Sequence, residues 1–223
     1  MKINLHTHQF TNHLNVLDIV NQYPDSLGED FEFFSIGIHP WYINLPDLNK
    51  QLAIIESHLS DDSCLALGEC GLDKRIETTM ETQILVFESQ LLLAEKYQKP
   101  VLIHCVSAFQ ELLEVKKRLK LTVPFLIHGF SKNRQVMEQL LHNNCFISFG
   151  KYLLQNDNLV EVFKNVPDDR YFLETDMMEN ALDEVYEKAA RIKELQIIEV
   201  EQQIENTARK VFEFSKKLRN TLG

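Results

Sequence analysis

The chain contains no run of 18 apolar residues, so it offers no candidate for a membrane-crossing helix. Its first residues, Met1-Lys2-Ile3-Asn4-Leu5-His6, lack a basic stretch followed by an apolar one, and so resemble no secretory signal. A cytoplasmic protein is expected. Cysteine is scarce. The four present (Cys64, Cys70, Cys105 and Cys145) form no CxxC pair and read as reduced, buried thiols rather than a disulfide framework. Internal repeats, low-complexity tracts and Gly/Ser linkers are missing, which argues for one domain over residues 1–223. Positive charge is in deficit: 23 Lys and Arg against 33 Asp and Glu leave a net charge of −10. An acidic surface repels phosphate backbones at long range and disfavours a dedicated nucleic-acid-binding module. An enzyme that meets a phosphodiester only at a metal-filled site remains open, because cations there invert the local sign.

What is present is alternation. Apolar or β-branched runs at residues 2–7, 15–21, 31–38, 64–69, 100–105, 123–128, 145–149 and 171–175 predict eight strands. Helical patterns occupy 48–59, 79–98, 107–119, 132–142, 158–164, 180–194 and 197–218. In the second of these, Ile84, Phe87, Gln90, Leu91 and Ala94 share one face. Ser131 and Asp157 are candidate N-caps. Only the second strand lacks room for a helix before it. This order defines an α/β protein. An open doubly wound sheet has the same pattern. Polar residues recurring at the C-terminal ends of many strands favour a single-domain, distorted TIM (β/α)8 barrel, whose active site lies at that face.

Those strand ends carry the chemistry. His6 and His8 lie two residues apart, so both point to one side of a strand and can share an ion. Glu69 sits between Gly68 and Cys70-Gly71 after an apolar strand, where a bridging carboxylate or a structural one would both fit. Leu102-Ile103-His104 and Leu126-Ile127-His128 are apolar runs closed by histidine. One such histidine reads as core; two at equivalent strand ends, added to His6 and His8, read as ligands. Asp176 ends the last strand, and Glu174, two residues deeper on the same side, would orient a histidine. Six N and O donors suit two divalent ions, Zn or Mn better than Mg. His39, Asp73 and Ser131 are candidates for contact with substrate, and Lys74 and Arg75 for holding a phosphate. His13, His58 and His142 have no partner pattern. Lys116, Lys117, Arg118 and Lys120, like Lys216, Lys217 and Arg219, read as solvated helix ends. Val211, Phe212 and Phe214 read as core packing.

Taken together these residues resemble the TatD family of metal-dependent hydrolases, within the amidohydrolase-like superfamily. The likeness runs through His6-Thr7-His8, Gly37-Ile38-His39-Pro40, Gly68-Glu69-Cys70-Gly71-Leu72-Asp73, Pro100-Val101-Leu102-Ile103-His104, Ile127-His128-Gly129-Phe130-Ser131, Ile147-Ser148-Phe149-Gly150 and Leu173-Glu174-Thr175-Asp176. It ends at Glu205-Asn206-Thr207-Ala208-Arg209-Lys210-Val211-Phe212. The resemblance implies a two-metal site: His6 and His8 on one ion, His104 and His128 on the other, Glu69 bridging. Asp176 would ligate and help deprotonate water, with Glu69 and Asp176 the catalytic carboxylates. His39 would face substrate. The implied activity is that of a 3′–5′ deoxyribonuclease or phosphodiesterase. The acidic charge favours small phosphodiesters or short single-stranded DNA as substrate over long DNA. No membrane or obligate protein partner is expected. Several positions depart from the family: Lys74-Arg75 replaces an aromatic pair, Cys105-Val106-Ser107 an Arg-containing stretch, and Met177-Met178-Glu179-Asn180 a proline-containing loop. An amide or ester hydrolase on the same barrel, or a non-catalytic binding protein on a decayed enzyme fold, are the alternatives.

Overall fold

The computed structural model describes residues 1–29, 31–213 and 215–223. Eight strands form one all-parallel sheet in sequence order: β1 (Lys2–Thr7), β2 (Val16–Gln22), β3 (Phe33–Ile36), β4 (Cys64–Asp73), β5 (Val101–Val106), β6 (Phe125–Ile127), β7 (Cys145–Phe149) and β8 (Tyr171–Leu173). Helices α1 (Leu48–His58), α2 (Met80–Tyr97), α3 (Phe109–Arg118), α4 (Arg134–His142), α5 (Lys151–Gln155), α6 (Asn158–Lys164), α7 (Leu182–Lys193), α8 (Ile197–Val211) and α9 (Lys216–Thr221) surround it. Each strand buries its apolar residues on both faces, as a parallel sheet covered by helices requires.

The barrel closes at a seam of mixed character. On the site side, β1 meets the chain beyond β8 through backbone bonds: Asp176 N–H donates to His6 O (2.9 Å) and His8 N–H to Asp176 O (3.2 Å). Deeper in the seam, side chains supply the bonds. Tyr186 on α7 accepts from Ile3 N–H and donates to Ile3 O, both at 2.9 Å. Asn4 accepts from Thr175 N–H and donates to Thr175 Oγ1 and Asp18, all at 2.9 Å. No helix separates β1 from β2. The returning loop is pinned instead by Asp18, which accepts from Thr11 N–H and Oγ1.

Several boundaries differ from the expectation. β4 runs past Glu69 to Asp73, through Gly68 and Gly71, both at positive φ (+135° and +148°). A Cβ at Gly71 would lie 2.0 Å from His104 O, so only glycine lets β4 approach β5 there. The expected 197–218 helix breaks after Val211. It restarts as α9 because Ser215 caps a new helix through Leu218 N–H (3.0 Å) and donates to Asp62 O (2.8 Å). Val211 and Phe212 are buried, as expected; Phe214 lies outside the described residues.

One expected cap position holds and one does not. Asp157 occupies the N-cap of α6, though its side chain makes no cap bond, while Asn133, not Ser131, caps α4 by accepting from Val136 N–H (3.1 Å). α2 buries Gln83 and Val86 with Phe87, Gln90, Leu91 and Ala94, while Ile84 stays half-buried, so its face is turned slightly from the expected one. Lys116 is not solvated. Its Nζ donates to Val123 O (2.7 Å) and lies 4.0 Å from the Phe125 ring centre, and burial lowers its pKa. Lys217 likewise reaches back, donating to Glu32 O (3.0 Å) and Ser63 Oγ (2.8 Å). The cysteines are free; three are buried, and Cys105 is half-buried. Among the described residues no helix is long and apolar enough to cross a membrane.

Candidate metal centre

Three strands and four segments that follow strands bring one cluster together at the C-terminal mouth of the barrel: His6, Glu69 and His104 lie on β1, β4 and β5, and His8, His39, His128 and Asp176 just beyond β1, β3, β6 and β8. At its centre is Glu69, 3% exposed. Its two oxygens face different histidines. Oε2 lies 3.4 Å from His6 Nε2 and 3.7 Å from His8 Nε2. Oε1 lies 2.7 Å from His128 Nε2, 2.9 Å from His104 Nδ1 and 3.3 Å from His39 Nε2. Asp176 Oδ1 closes the first group, 3.6 Å from His6 Nε2 and 3.5 Å from His8 Nε2. Three triads thus offer ligand atoms within 4.8 Å of one another: His6, Glu69 and His128; His6, His8 and Asp176; His39, Glu69 and His104.

The donor set suits divalent cations on grounds internal to this structure. His6 is completely buried, yet neither of its ring nitrogens has a hydrogen-bond partner. Such a group is costly to leave alone. Its Nε2 faces two carboxylate oxygens at distances beyond good hydrogen bonding, the spacing a shared cation would use. Protonation is the other way to hold the cluster together. Burial and neighbouring His128 oppose a charge on His6, but Glu69 and Asp176 outweigh them and raise its pKa to about 9. His128 is driven up in the same way, against burial, by Glu69 and Glu174. Burial opposes ionisation of Glu69 and Asp176, but the surrounding histidines hold both well below the usual carboxylate range. His39, by contrast, is pushed down by burial.

The surrounding residues fix this geometry. Glu174, expected to orient a histidine, accepts from Gly129 N–H (2.6 Å) and lies 3.6 Å from His128 Nδ1. The chain leaves β8 after Leu173, and Asp176 adopts a left-handed conformation (φ 55°), so the expected side-sharing of Glu174 and Asp176 by strand alternation does not hold. His39 is 4% exposed, its Nδ1 accepting from Trp41 N–H (3.1 Å). Asp73 accepts from Trp41 Nε1–H (2.8 Å) and Arg75 N–H (2.8 Å), with His104 Nε2 at 3.4 Å. Ser131 lies on the wall of the adjoining cleft. Lys74 is paired with Glu111 at 2.6 Å. A larger groove of about 690 Å³, lined by Asn4, His13, Leu14 and Thr175 among others, runs outside the β1–β8 seam and contains none of the clustered ligands.

Sequence reasoning missed the amides that hold the ligand-bearing backbone. Asn21 on β2 accepts from Glu69 N–H (2.7 Å). Gln83 accepts from Asp73 N–H (2.8 Å) and donates to Asp73 O (2.9 Å). Gln90 does the same for Ile38, at 2.7 and 3.2 Å, setting the turn that leads to His39. The signal available was a pair of polar residues seven apart on the apolar face of α2.

An eight-stranded α/β barrel with its histidines and carboxylates gathered at the C-terminal face has the architecture of barrel enzymes, and its donor set suits divalent metal ions. The family model for TatD related DNases matches residues 2–213, and the chain belongs to that family. It is 29% identical over 169 residues to the 3′-5′ ssDNA/RNA exonuclease TatD of Erwinia tasmaniensis, covering 72% of this chain and 61% of that protein. It is also 29% identical over 152 residues to the uncharacterized metal-dependent hydrolase YabD of Bacillus subtilis, covering 66% and 59%. The matches thus span less than two thirds of these relatives' lengths. The fold matches YJJV, a TatD homolog from Escherichia coli, with a TM-score of 0.81 at 21% identity, over 95% of this chain and 98% of that one. It also matches the Escherichia coli phosphotriesterase homology protein, whose structure holds phosphate in its active site, at a TM-score of 0.62 and 10% identity over 84% and 81%.

Proposed function

We propose that the chain is a divalent-metal-dependent phosphodiesterase acting on short single-stranded nucleic acid. The observation that carries this reading is the buried Glu69 carboxylate, whose two oxygens face two separate groups of histidines. His6, His8, Asp176 and Glu69 Oε2 would hold one ion; His104, His128 and Glu69 Oε1 the other. Four histidines among six ligands favour Zn or Mn over Mg. When bound, the ions supply Lewis-acid charge and acidify a water.

The protein's own groups do the rest. Asp176 is partly exposed to the cleft and ionised at neutral pH, so its carboxylate can accept a proton from the attacking water. Glu174 holds the His128 ring in place. The Trp41, Arg75 and His104 contacts keep Asp73 in the wall beside the reacting centre. His39, against Glu69 and His104, has its Nδ1 taken by Trp41 N–H, so its Nε2–H can donate to the leaving oxygen. Asp73 and Ser131 line the space where substrate would lie. The names of the relatives, an ssDNA/RNA exonuclease and a metal-dependent hydrolase, support the same chemistry.

The test is metal content of the purified protein together with Mn2+-dependent hydrolysis of bis-p-nitrophenyl phosphate. About two ions per chain, with turnover abolished in Glu69→Ala, is the expected result. Turnover of amide or ester substrates without any phosphodiester cleavage would instead place the chain among acyl hydrolases.

A further inference from the structure

Beside the ligand cluster lies a cleft of about 590 Å³. His104, His128 and Asp176 form its inner end, and Trp41, Arg75, Lys132 and Tyr152 reach its outer part. Two features of that outer part bear on what it could hold. The first is charge. The molecule carries −10 overall, and many of its surface cations are paired with carboxylates. Arg134 is paired with Glu138 and Lys74 with Glu111. Arg75 and Lys132 both line the cleft, and among the described residues neither pairs with a carboxylate. The Asp73 carboxylate, nearest to Arg75 in sequence, is occupied by Trp41 Nε1–H and the Arg75 backbone N–H. The second feature is aromatic exposure. Trp41 is 57% and Tyr152 44% exposed, and both line the cleft. The Trp41 Nε1–H is tied to Asp73 and its ring meets His39 and His104 in T-shaped contacts, which fixes the indole while more than half of the residue stays exposed.

We propose that this outer half is a second nucleotide subsite: Arg75 and Lys132 hold the phosphate next to the one being cut, and Trp41 and Tyr152 stack on the bases. The inference rests on the phosphodiesterase reading and specifies how substrate is held. A guanidinium and an ammonium converging on one cleft match an anionic phosphate, the arginine by its planar fork. Aromatic faces beside a basic groove are the usual means of holding single strands without reading their sequence. A cleft of this size, in the range of small-ligand pockets, accepts about one or two nucleotides and excludes a duplex. The acidic body repels long polyanions, while Arg75 and Lys132 make this cleft locally attractive to a short one. The preferred substrate therefore has at least two consecutive phosphates and unpaired bases.

Two measurements on the metal-loaded protein test this. Trp41 is the single tryptophan of the chain, so its fluorescence reports on the cleft alone. Titration with a thymidine trinucleotide should quench it. The quench should weaken with salt, and in Arg75→Ala/Lys132→Ala the salt slope should be shallower by about 0.7, one phosphate's worth for a single strand. In parallel, KM is compared between a dinucleoside monophosphate and a trinucleoside diphosphate. The native protein should favour the latter by about ten-fold, the yield of roughly one charge-assisted contact. In the double variant that ratio should fall to near one, and Arg75→Lys should restore part of it. Equal losses on both substrates, or an unquenched Trp41 under conditions where the trinucleotide is cleaved, would overturn the subsite. Failure to cleave any phosphodiester, bis-p-nitrophenyl phosphate included, would instead overturn the reading on which it rests.

Discussion

At the residue scale, the cluster contains buried groups whose charges depend on what sits between them. Without metal, His6 stays protonated up to about pH 9, against 6.5 for an ordinary histidine. Its contribution to stability is therefore full below 6.5 and is lost as pH rises through 9. Metal ligation needs the neutral ring, so binding at pH 7 must expel protons, and apparent affinity should rise with pH across that window. Calorimetry of Zn2+ or Mn2+ binding in buffers of different ionisation enthalpy measures the protons released; zero release would contradict the charge state assigned to His6. Asp176 faces the cleft and is the proton acceptor in the proposed reaction. Asp176→Asn should keep the fold, by circular dichroism, and lower kcat by about 10²-fold or more. Near-native turnover would remove Asp176 from that role.

At the scale of elements, the barrel depends on two places where strands fit together only through particular residues. One is the β1–β8 seam, where the Tyr186 hydroxyl takes both backbone groups of Ile3. Tyr186→Phe leaves a buried N–H and C=O without that partner and should cost about 1–3 kcal/mol, read from denaturant unfolding. A loss below a few tenths would mean that β8 backbone replaces the hydroxyl. The other is β4 beside β5. Gly71→Ala places a methyl 2.0 Å from His104 O, within the same strand pair that carries Glu69 and His104. The strands must part, at about 1–3 kcal/mol, and metal affinity should fall with stability. Strand positions were legible because each is a short apolar or β-branched run, the pattern of a parallel strand buried on both faces. The end of β4 was not, because its glycines break the apolar pattern while the backbone pairing continues to Asp73. Nor was the burial of Lys116, since a basic run at a helix end looks the same whether its ammonium meets water or Val123 O.

At the scale of the whole molecule, the ligands come from both ends of the chain, so bound ions should tie the barrel together. An ion present at about 100 times its Kd adds about 2.7 kcal/mol, or roughly 5–10 °C in Tm for a chain of this size. Chelation should lower Tm by at least that much and should move it more at pH 8 than at pH 6, where protons compete for the same nitrogens. An unchanged Tm after complete metal removal would sever the link between cluster and fold. The sequence by itself determined the alternating α/β order, the strand ends that carry His6, His8, Glu69, His104 and His128, and the likeness to the TatD family. Those are local patterns, set by the two-residue period of a strand and by the residue types that cations need. Only the tertiary structure decided which oxygen of Glu69 faces which histidine, that His39 packs against them, and that Asn21, Gln90 and Tyr186 hold the backbone of the site. Those partners stand 48, 52 and 183 residues from the groups they bond. Their meeting is fixed by strand register and barrel closure, which no short stretch of sequence encodes.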